Sequence, residues 1–171
     1  IIVFIALIIL QRHKQITQEK QIIALEQNML RNQMNPHFIF NSLNSIKLYI
    51  INNEKENAVY YLNKFAKLIR KILVASNEKD ISLADELETM QLYINIENNR
   101  FSNEIDYTIN LSEHVNPKNI RVPSLILQPF LENALWHGLS SKTDNKKIDL
   151  KIEQNNDEFI TITIKDNGIG R

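Results

Sequence analysis

The sequence contains no cysteine among its 171 residues. Disulfide bonds, thiol catalysis and cysteine-ligated zinc sites are therefore excluded. There is also no excess charge of either sign, because 20 basic and 20 acidic residues give a formal net charge of zero. Nucleic-acid-binding proteins normally carry a basic surplus, so this class is disfavoured. The length suits one sizeable domain, or two small domains and a linker.

Glycine is scarce as well. Average usage would give about 12 glycines in a chain of this length, but there are only three. Gly138, Gly168 and Gly170 all lie in the last fifth of the sequence. We expect each of them to meet a backbone requirement, such as a tight turn or the close approach of two segments.

The chain opens with an apolar run, "IIVFIALIIL", which is followed by Arg12 and Lys14. A helix of this length spans about 15 Å, roughly half of a bilayer core. A buried core helix or the remains of a signal peptide would also be apolar. However, basic residues directly after the run are typical of the cytoplasmic end of a transmembrane helix. We therefore predict that residues 1–10 end such a helix, in the cell (inner) membrane, with the rest of the chain in the cytoplasm.

The next segment has neither proline nor glycine between Gln15 and Met34. Ile16, Ile23 and Leu30 recur in it at intervals of seven residues. This pattern predicts a juxtamembrane helical linker over residues 11–34, either a two-stranded coiled coil or a plain amphipathic helix.

A helix is predicted to begin at Pro36, which is favoured in the first turn. Its apolar stripe has spacings of four, three and four residues: Ile39, Leu43, Ile46 and Ile50. At about 100° per residue, His37 lies about 120–180° around the helix from every member of the stripe. The histidine is therefore expected on the outer, polar face.

A second helix follows the polar break "NNEKEN". Its stripe comprises Leu62, Phe65, Ile69 and Ile72. Two antiparallel helices of this kind bury only part of their apolar surface, and pairing with a second copy as a four-helix bundle would bury the rest.

The pattern of the sequence changes near residues 100–103, from helical spacing alone to a mixture of strand and helix patterns. Before this point, Ser82 and Asp85 form a capping-box-like start for a third helix that runs to about Arg100. Beyond it, "EIDYTINL" alternates like a strand and "PSLILQPFLENALWHG" is apolar at helical spacing. "KKIDLKIEQ" and "EFITITIKD" predict a hairpin around Asn155 and Asn156. The predicted fold class is α+β.

Four motifs occur in a fixed order over about residues 33–171: "NPHFIFNSLNSI", "ENNRF", "VPSLILQPFLENALWHGL" and "DNGIG". In this the sequence resembles the LytS/YehU-type sensor histidine kinases of two-component systems. The resemblance implies a dimerisation and histidine phosphotransfer hairpin over residues 35–78 and a connecting helix over 79–102. It also implies the first part of an α/β-sandwich Bergerat (GHKL) ATP-binding domain over 103–171. We expect the lid and the second glycine box of that domain to lie beyond residue 171.

The resemblance also implies roles for individual residues. His37 would be the phosphoacceptor, since an imidazole in water is mostly uncharged at neutral pH and can attack through a lone pair. Asn133 would be a ligand of Mg²⁺, which prefers oxygen donors, and His137 would lie near the phosphates of ATP. Both could instead be ordinary polar residues of a helix surface.

Asp166 would accept a hydrogen bond from the adenine amino group, because an ionised carboxylate is an acceptor only. Gly168 and Gly170 would let the backbone pass close to the purine. Gly138 could equally be a helix C-cap. Gln128 is a further candidate for the polar side of this helix. The opposite side, which carries Leu127, Leu131 and Leu135, is predicted to pack against the core.

The sequence departs from the wider histidine kinase pattern at two positions. Phe38 stands where many kinases have an acidic residue that acts as a base, which leaves Glu132 as a candidate base. Trp136 stands where related sequences often carry lysine, so we expect one phosphate contact to be missing there.

The function that the resemblance implies is autophosphorylation of His37 from ATP and transfer to an aspartate of a response regulator. The implied partners are a second copy of the chain, the receiver domain of that regulator and the membrane. There are two alternatives. One is a degenerate kinase that acts as a membrane-anchored dimerisation scaffold, and the other is a GHKL ATPase without a phosphohistidine. An outward histidine on a paired-helix hairpin favours the kinase.

Overall fold

The computed structural model describes residue 12 and residues 36–102, 104–154 and 159–169. The elements are, in chain order, helix α1 (Pro36–Ile51), helix α2 (Lys55–Ala75), strand β1 (Asp80–Ser82), helix α3 (Leu83–Asn98), a 3₁₀ turn (Asn99–Phe101), strand β2 (Ile105–Leu111), strand β3 (Arg121–Pro123), helix α4 (Gln128–Asn133), a π-helical segment (Ala134–Leu139), strand β4 (Lys146–Gln154) and strand β5 (Ile160–Asp166). The predicted α+β class is confirmed for these residues. The chain divides into two compact units, Ile1–Ile39 and Phe40–Arg171.

The predicted membrane segment, residues 1–10, lies outside the described residues. So does the predicted linker, residues 11–34, apart from Arg12. Within the part of the chain that is described, no helix combines the length and hydropathy needed to cross a bilayer.

Helix α1 buries only part of the predicted stripe. Leu43 and Ile50 of the stripe are 47% and 60% exposed, whereas Ile46 of the same stripe and the neighbouring Ser42 are buried. The hydroxyl of Tyr49 donates to Asn99 Oδ1 at 2.7 Å, on the same side of the helix as Ser42 and Ile46. This partial burial agrees with the expectation that two such helices leave part of their apolar surface uncovered within one chain. The side of α1 that carries Tyr49 contacts α2 and the 3₁₀ turn.

Helix α2 packs against α3. Leu68 and Ile72 are buried, but Leu62 of the predicted stripe is 47% exposed. The buried hydroxyl of Tyr61 donates to the carbonyl oxygen of Ile96 at 2.8 Å. Burial raises the pKa of Tyr61 to about 12, so this hydroxyl stays a donor at physiological pH.

Helix α3 begins as the sequence predicted. Ser82 Oγ accepts the backbone N–H of Asp85 at 3.0 Å and donates to Asp85 Oδ2 at 2.6 Å. The helix was expected to be a connector, but it is buried almost all round, as a central core helix is. Its buried residues are Leu83, Glu86, Leu87, Thr89, Met90, Leu92, Tyr93, Ile94, Ile96 and Glu97.

The three-stranded sheet has the order β2-β4-β5. Strand β2 is parallel to β4, and β4 is antiparallel to β5, which confirms the predicted strand pair. Ile148, Leu150 and Ile152 of β4 are buried on one face. On the other face, Asp149 Oδ1 accepts hydrogen bonds from Thr108 and Asn110. One face of the sheet is thus packed and the other is polar. The predicted turn at residues 155 and 156 lies outside the described residues.

The segment around α4 is less regular than its apolar spacing predicted. Leu125 has a φ of 58°, so the helix starts only at Gln128. A π-helical segment then runs to Leu139 with Ser140 as its C-cap. Gly138 lies inside this segment, so the interpretation of Gly138 as a C-cap is wrong.

The small sheet of β1 and β3 was not predicted, since three residues in each strand are too few for a visible alternation. It pairs Ile81 with Val122 in antiparallel register.

The carboxyl end of α3 carries a buried acid. Glu97 is 1% exposed, and the guanidinium of Arg100 lies 3.3 Å from Glu97 Oε2. Burial raises the pKa of Glu97 to about 7, although Arg100 acts in the opposite direction. A buried charge is costly even when it is partly paired. Glu97 therefore exchanges its proton near neutral pH.

Replacing Glu97 by Gln should reduce the pH dependence of stability. Because the folded-state pKa is raised, Glu97 stabilises the fold fully below about pH 4.5 and this contribution is lost as the pH rises through about 7. The melting temperature of the wild type should fall more between about pH 5 and about pH 8 than that of Glu97→Gln. Thermal unfolding followed by circular dichroism measures the difference. The exposed Glu113→Gln variant should behave as the wild type, and equal pH dependence in all three proteins would contradict the assignment.

Candidate functional site

A cavity of about 260 Å³ lies between the helical segment that follows Leu127 and strand β5. Its lining residues are Phe130, Asn133, Ala134, His137, Gly138, Ile164 and Asp166. They come from "LENALWHG" and from the strand that leads into "DNGIG". The fold therefore brings together two motifs that are separated by about 30 residues in the sequence.

The register of the sheet directs Asp166 toward this cavity. Asp166 is paired with Ile148 and Ile164 with Leu150 across β4 and β5. Residues directly opposite each other in a sheet share a face, so Asp166 lies on the packed face at the end of β5. A Cβ atom on Gly138 would lie 2.6 Å from Asp166 Oδ1. The carboxylate therefore occupies space that only a glycine at this position leaves open.

A turn follows Asp166 and returns to the same glycine. Asp166 Oδ1 accepts the backbone N–H of Gly168 at 2.9 Å. The N–H of Ile169 donates to the carbonyl oxygen of Gly138 at 3.2 Å. A Cβ atom on Gly168 would overlap the backbone of Gly138. Gly138 and Gly168 thus meet backbone to backbone, as the scarcity of glycine suggested, while Gly170 lies outside the described residues.

Asn167 fixes the turn to the loop before β4, although no role was predicted for this residue. Its side-chain oxygen accepts the N–H of Lys147 at 2.8 Å, and its amide donates to the carbonyl oxygen of Asn145 at 2.6 Å. Lys142 Nζ donates to the carbonyl oxygen of Asn167 at 3.0 Å. The "DNG" sequence is a turn signal that could have indicated this.

The helical segment presents Asn133 and His137 to the cavity. They are four residues apart and both are exposed. On the opposite side Leu127, Leu131 and Leu135 are 3%, 0% and 0% exposed, which confirms the predicted packing side.

Two other predicted polar residues do not line the cavity. Gln128 is buried and donates from Nε2 to Glu132 Oε1 at 2.9 Å, which corrects its assignment to the polar side. The same oxygen of Glu132 accepts the hydroxyl of Tyr93 at 3.2 Å. Burial, reinforced by the charge of Glu132, raises the pKa of Tyr93. Glu132 therefore connects α4 to α3.

Trp136 contacts the "ENNRF" motif, for which sequence reasoning offered no structural role. The guanidinium carbon of Arg100 lies 4.3 Å from the centroid of the Trp136 ring. The ring of Phe101 lies 5.7 Å from it, centroid to centroid, with an interplanar angle of 44°. Cation–π contacts of this kind contribute about 0.5–2 kcal/mol. The indole thus joins the end of α3 to the helical segment beside the cavity.

His37, the remaining predicted site residue, is exposed in the first turn of α1. It belongs to the unit Ile1–Ile39, and it is not among the residues that line the cavity.

Alanine at the two glycines should have unequal effects on stability. At Gly168 the new methyl group meets the backbone of Gly138, whereas at Gly138 it meets the end of the Asp166 side chain, which can rotate away. We expect Gly168→Ala to cost about 1–3 kcal/mol, as overpacking does, and Gly138→Ala to cost less. Chemical denaturation measures both. The exposed Ser141→Ala variant is the control, and a larger cost at Gly138 than at Gly168 would contradict this geometry.

Comparisons with known proteins agree with these motifs. The family model described as histidine kinase matches residues 25–105. Sensor histidine kinase BtsS of Escherichia coli (strain K12) is 31% identical over 150 residues, which cover 88% of this chain and 26% of that protein. Sensor histidine kinase/phosphatase LytS of Staphylococcus aureus (strain MRSA252) is 30% identical over 155 residues, which cover 90% of this chain and 26% of that protein. Sensor protein LytS of Staphylococcus haemolyticus (strain JCSC1435) is 30% identical over 153 residues, with the same coverage of each chain.

The chain spans about a quarter of the length of these curated relatives. The family match includes His37 and ends at the start of β2, and the matches to the relatives extend over most of the chain. The chain belongs to the LytS-type sensor histidine kinases.

Proposed function

We infer that this chain carries the phosphotransfer and nucleotide-binding parts of a sensor histidine kinase, which autophosphorylates on His37 from ATP and passes the phosphoryl group to an aspartate of a response regulator. The observation that carries this proposal is the cavity in which Asn133, His137, Gly138 and Asp166 meet. Membership of a kinase family supports the reaction class.

The cavity suits the adenine base. Asp166 Oδ1 holds the N–H of Gly168, which leaves Oδ2 as an acceptor for the amino group of adenine. Ile164, Ala134 and Phe130 provide apolar walls for a planar ring. A volume of about 260 Å³ fits a base better than a whole nucleoside triphosphate. The sugar and phosphates would therefore extend beyond it.

Asn133 and His137 would face the phosphates. The amide oxygen of Asn133 is a hard donor of the type that Mg²⁺ prefers, and its exposure leaves room for the water molecules that this ion retains. Bound Mg²⁺ supplies positive charge that neutralises the phosphate oxygens during phosphoryl transfer. His137 would donate an N–H to a phosphate oxygen.

His37 would be the nucleophile. Its neutral imidazole donates a lone pair to the γ-phosphorus, a nitrogen–phosphorus bond forms, the bond from phosphorus to the bridging oxygen breaks, and ADP departs with that electron pair. The second ring nitrogen then releases its proton to water. In the transfer step the second ring nitrogen first takes a proton back from water. A carboxylate oxygen of the regulator then attacks phosphorus, the nitrogen–phosphorus bond breaks, and neutral imidazole leaves with the bonding pair.

The hairpin offers a surface for a second copy of the chain. Large apolar side chains on α1 and α2 stay exposed within one chain, and such patches mark interaction sites. They are Phe40, Leu43, Leu48, Ile50, Ile51, Val59, Tyr60, Leu62, Leu73 and Val74. A homodimer with a four-helix bundle would cover this surface. Residues 1–10 would attach the dimer to the inner membrane. The proposed domains are then the linker over residues 11–34, the hairpin over 35–78, the connecting helix over 79–102 and the first part of the ATP-binding domain over 103–171.

Replacing His37 by Gln should abolish autophosphorylation. Glutamine keeps the size of the side chain but has no nucleophilic ring nitrogen. We expect the full-length wild type to take up acid-labile, alkali-stable label from labelled ATP and Mg²⁺, and we expect no label in His37→Gln.

His114 offers a matched control, since it is an exposed histidine in the loop after β2. His114→Gln should be labelled like the wild type. Label retained in His37→Gln would move the acceptor elsewhere. ATP binding without label in the wild type would favour the scaffold over the kinase.

Replacing Asp166 by Asn should weaken ATP binding. The amide oxygen can still accept the N–H of Gly168, so the NH₂ group would face the amino group of adenine, donor against donor. Loss of a hydrogen bond to a charged group corresponds to about a tenfold or larger fall in affinity. Calorimetric titration with an ATP analogue and Mg²⁺ measures it. Asp106→Asn, at an exposed position of β2, should keep wild-type affinity, and equal affinities would argue against Asp166 as the base-binding residue.

A further inference from the structure

Glu86 is a carboxylate buried in the middle of the protein. It lies in the first turn of α3 and is 0% exposed. Its two oxygens accept backbone N–H groups from another part of the chain: Oε2 from Leu125 at 3.0 Å and Oε1 from Leu127 at 2.9 Å. Among the described residues, no basic side chain forms an ion pair with it. Both oxygens are thus committed to the segment that leads into α4.

That segment needs support. Leu125 is a non-glycine residue with a φ of 58°, which is a left-handed conformation. Branched and bulky side chains adopt this conformation at a cost, and it persists only where surrounding contacts impose it. The hydrogen bond from Leu125 N–H to Glu86 Oε2 is such a contact. Leu125 is also 5% exposed, so its side chain is packed in place.

The beginning of α4 has no local cap. Leu127 is the N-cap residue, and no side chain of its own segment accepts a hydrogen bond there. The first N–H groups of a helix need acceptors, and negative charge is favourable at this end. Glu86 supplies both from α3. It accepts the N–H of the N-cap residue, as the glutamate of a capping box does, although it is about 40 residues away in the sequence.

We propose that Glu86 is a positioning residue for the nucleotide site, which fixes the start of the helical segment carrying Asn133 and His137. This rests on the proposed function. Asn133 lies about one and a half turns from Leu127, so the direction of the helix at its start determines where its amide points. Glu86 itself does not line the cavity.

The same residue makes the site sensitive to the position of α3. That helix is attached to the hairpin by the hydrogen bond from Tyr61 to Ile96 and by the ion pair from Lys71 to Glu88 at 2.7 Å. A displacement of α3 moves Glu86, and with it the two amides of the turn. Glu86 thus links the helix that follows the hairpin to the helix that holds the nucleotide.

The test uses the full-length protein and its Glu86→Gln variant, which keeps the shape but places an NH₂ group against one of the two N–H donors. Hydrogen exchange, measured without nucleotide on peptides covering residues 124–128, reports the turn. Titration with Mg²⁺ and the non-hydrolysable analogue AMP-PNP reports the site. We expect exchange in the turn to accelerate at least tenfold and the dissociation constant of AMP-PNP to rise about tenfold.

Thr89→Val is the matched control. Thr89 is 1% exposed one turn further along α3, and its hydroxyl donates to the carbonyl oxygen of Asp85 rather than to the turn. At a similar loss of melting temperature, it should leave exchange in the turn and AMP-PNP affinity within about twofold of the wild type. An effect of Thr89→Val as large as that of Glu86→Gln would reduce Glu86 to general stability and overturn the proposal.

Two further outcomes are decisive. Unchanged exchange in Glu86→Gln, or faster exchange with unchanged AMP-PNP affinity, would also overturn the positioning role. A wild-type protein that binds no AMP-PNP would instead overturn the proposed function. The exchange data would still decide whether Glu86 holds the turn, because they are recorded without nucleotide.

Discussion

The contact between the backbones at Gly138 and Gly168 is the constraint on which the cavity depends. Two conditions make this contact possible. Neither residue has a side chain, and the register of β4 with β5 brings the end of β5 to this point. A shift of the register by one residue would turn Asp166 to the polar face of the sheet. A side chain at Gly138 would displace the carboxylate even in the correct register. The wall of the cavity is therefore determined jointly by strand pairing and by the absence of two Cβ atoms.

Helix α3 tolerates two buried carboxylates because each is compensated in a different way. Glu86 accepts two backbone N–H groups, whereas Glu97 lies beside the guanidinium of Arg100. Burial raises the pKa of both acids, so the compensation is incomplete in both cases. Apolar residues at these positions would avoid that cost, but they could neither hold the turn at Leu125 nor anchor the Arg100 that stacks on Trp136. The two acids thus lower the stability of the fold but hold the turn at Leu125 and the side chain of Arg100 in place.

Features determined by local sequence could be predicted, and features determined by distant contacts could not. The cap at Ser82, the three strands of the larger sheet and the packed side of α4 follow from spacing over a few residues. The register that faces Asp166 toward Gly138 depends on pairing across the sheet, which spacing along the chain does not show. The resemblance to a kinase family had pointed to both residues but not to their contact. The left-handed conformation of Leu125 is not signalled by a glycine or asparagine at this position, and the N–H of Leu125 bonds to Glu86, which is distant in the sequence. Partial burial of the apolar stripe on α1 was expected, but the spacing of its residues does not show that Ile46 is covered within one chain while Leu43 and Ile50 stay exposed.

Contacts of unequal strength connect the hairpin to the cavity. The exposed parts of the Lys71 ion pairs contribute little, as surface pairs generally do. The buried hydrogen bond from Tyr61 to Ile96 is costly to break, because either group would be left without a partner. Helices α2 and α3 should therefore move as one body. A movement that begins at the hairpin reaches the cavity where α3 contacts the next element, at Glu86 and at the bond from Tyr93 to Glu132. Both contacts act on the same short helix, one before its first turn and one within it, so together they set its direction as well as its position.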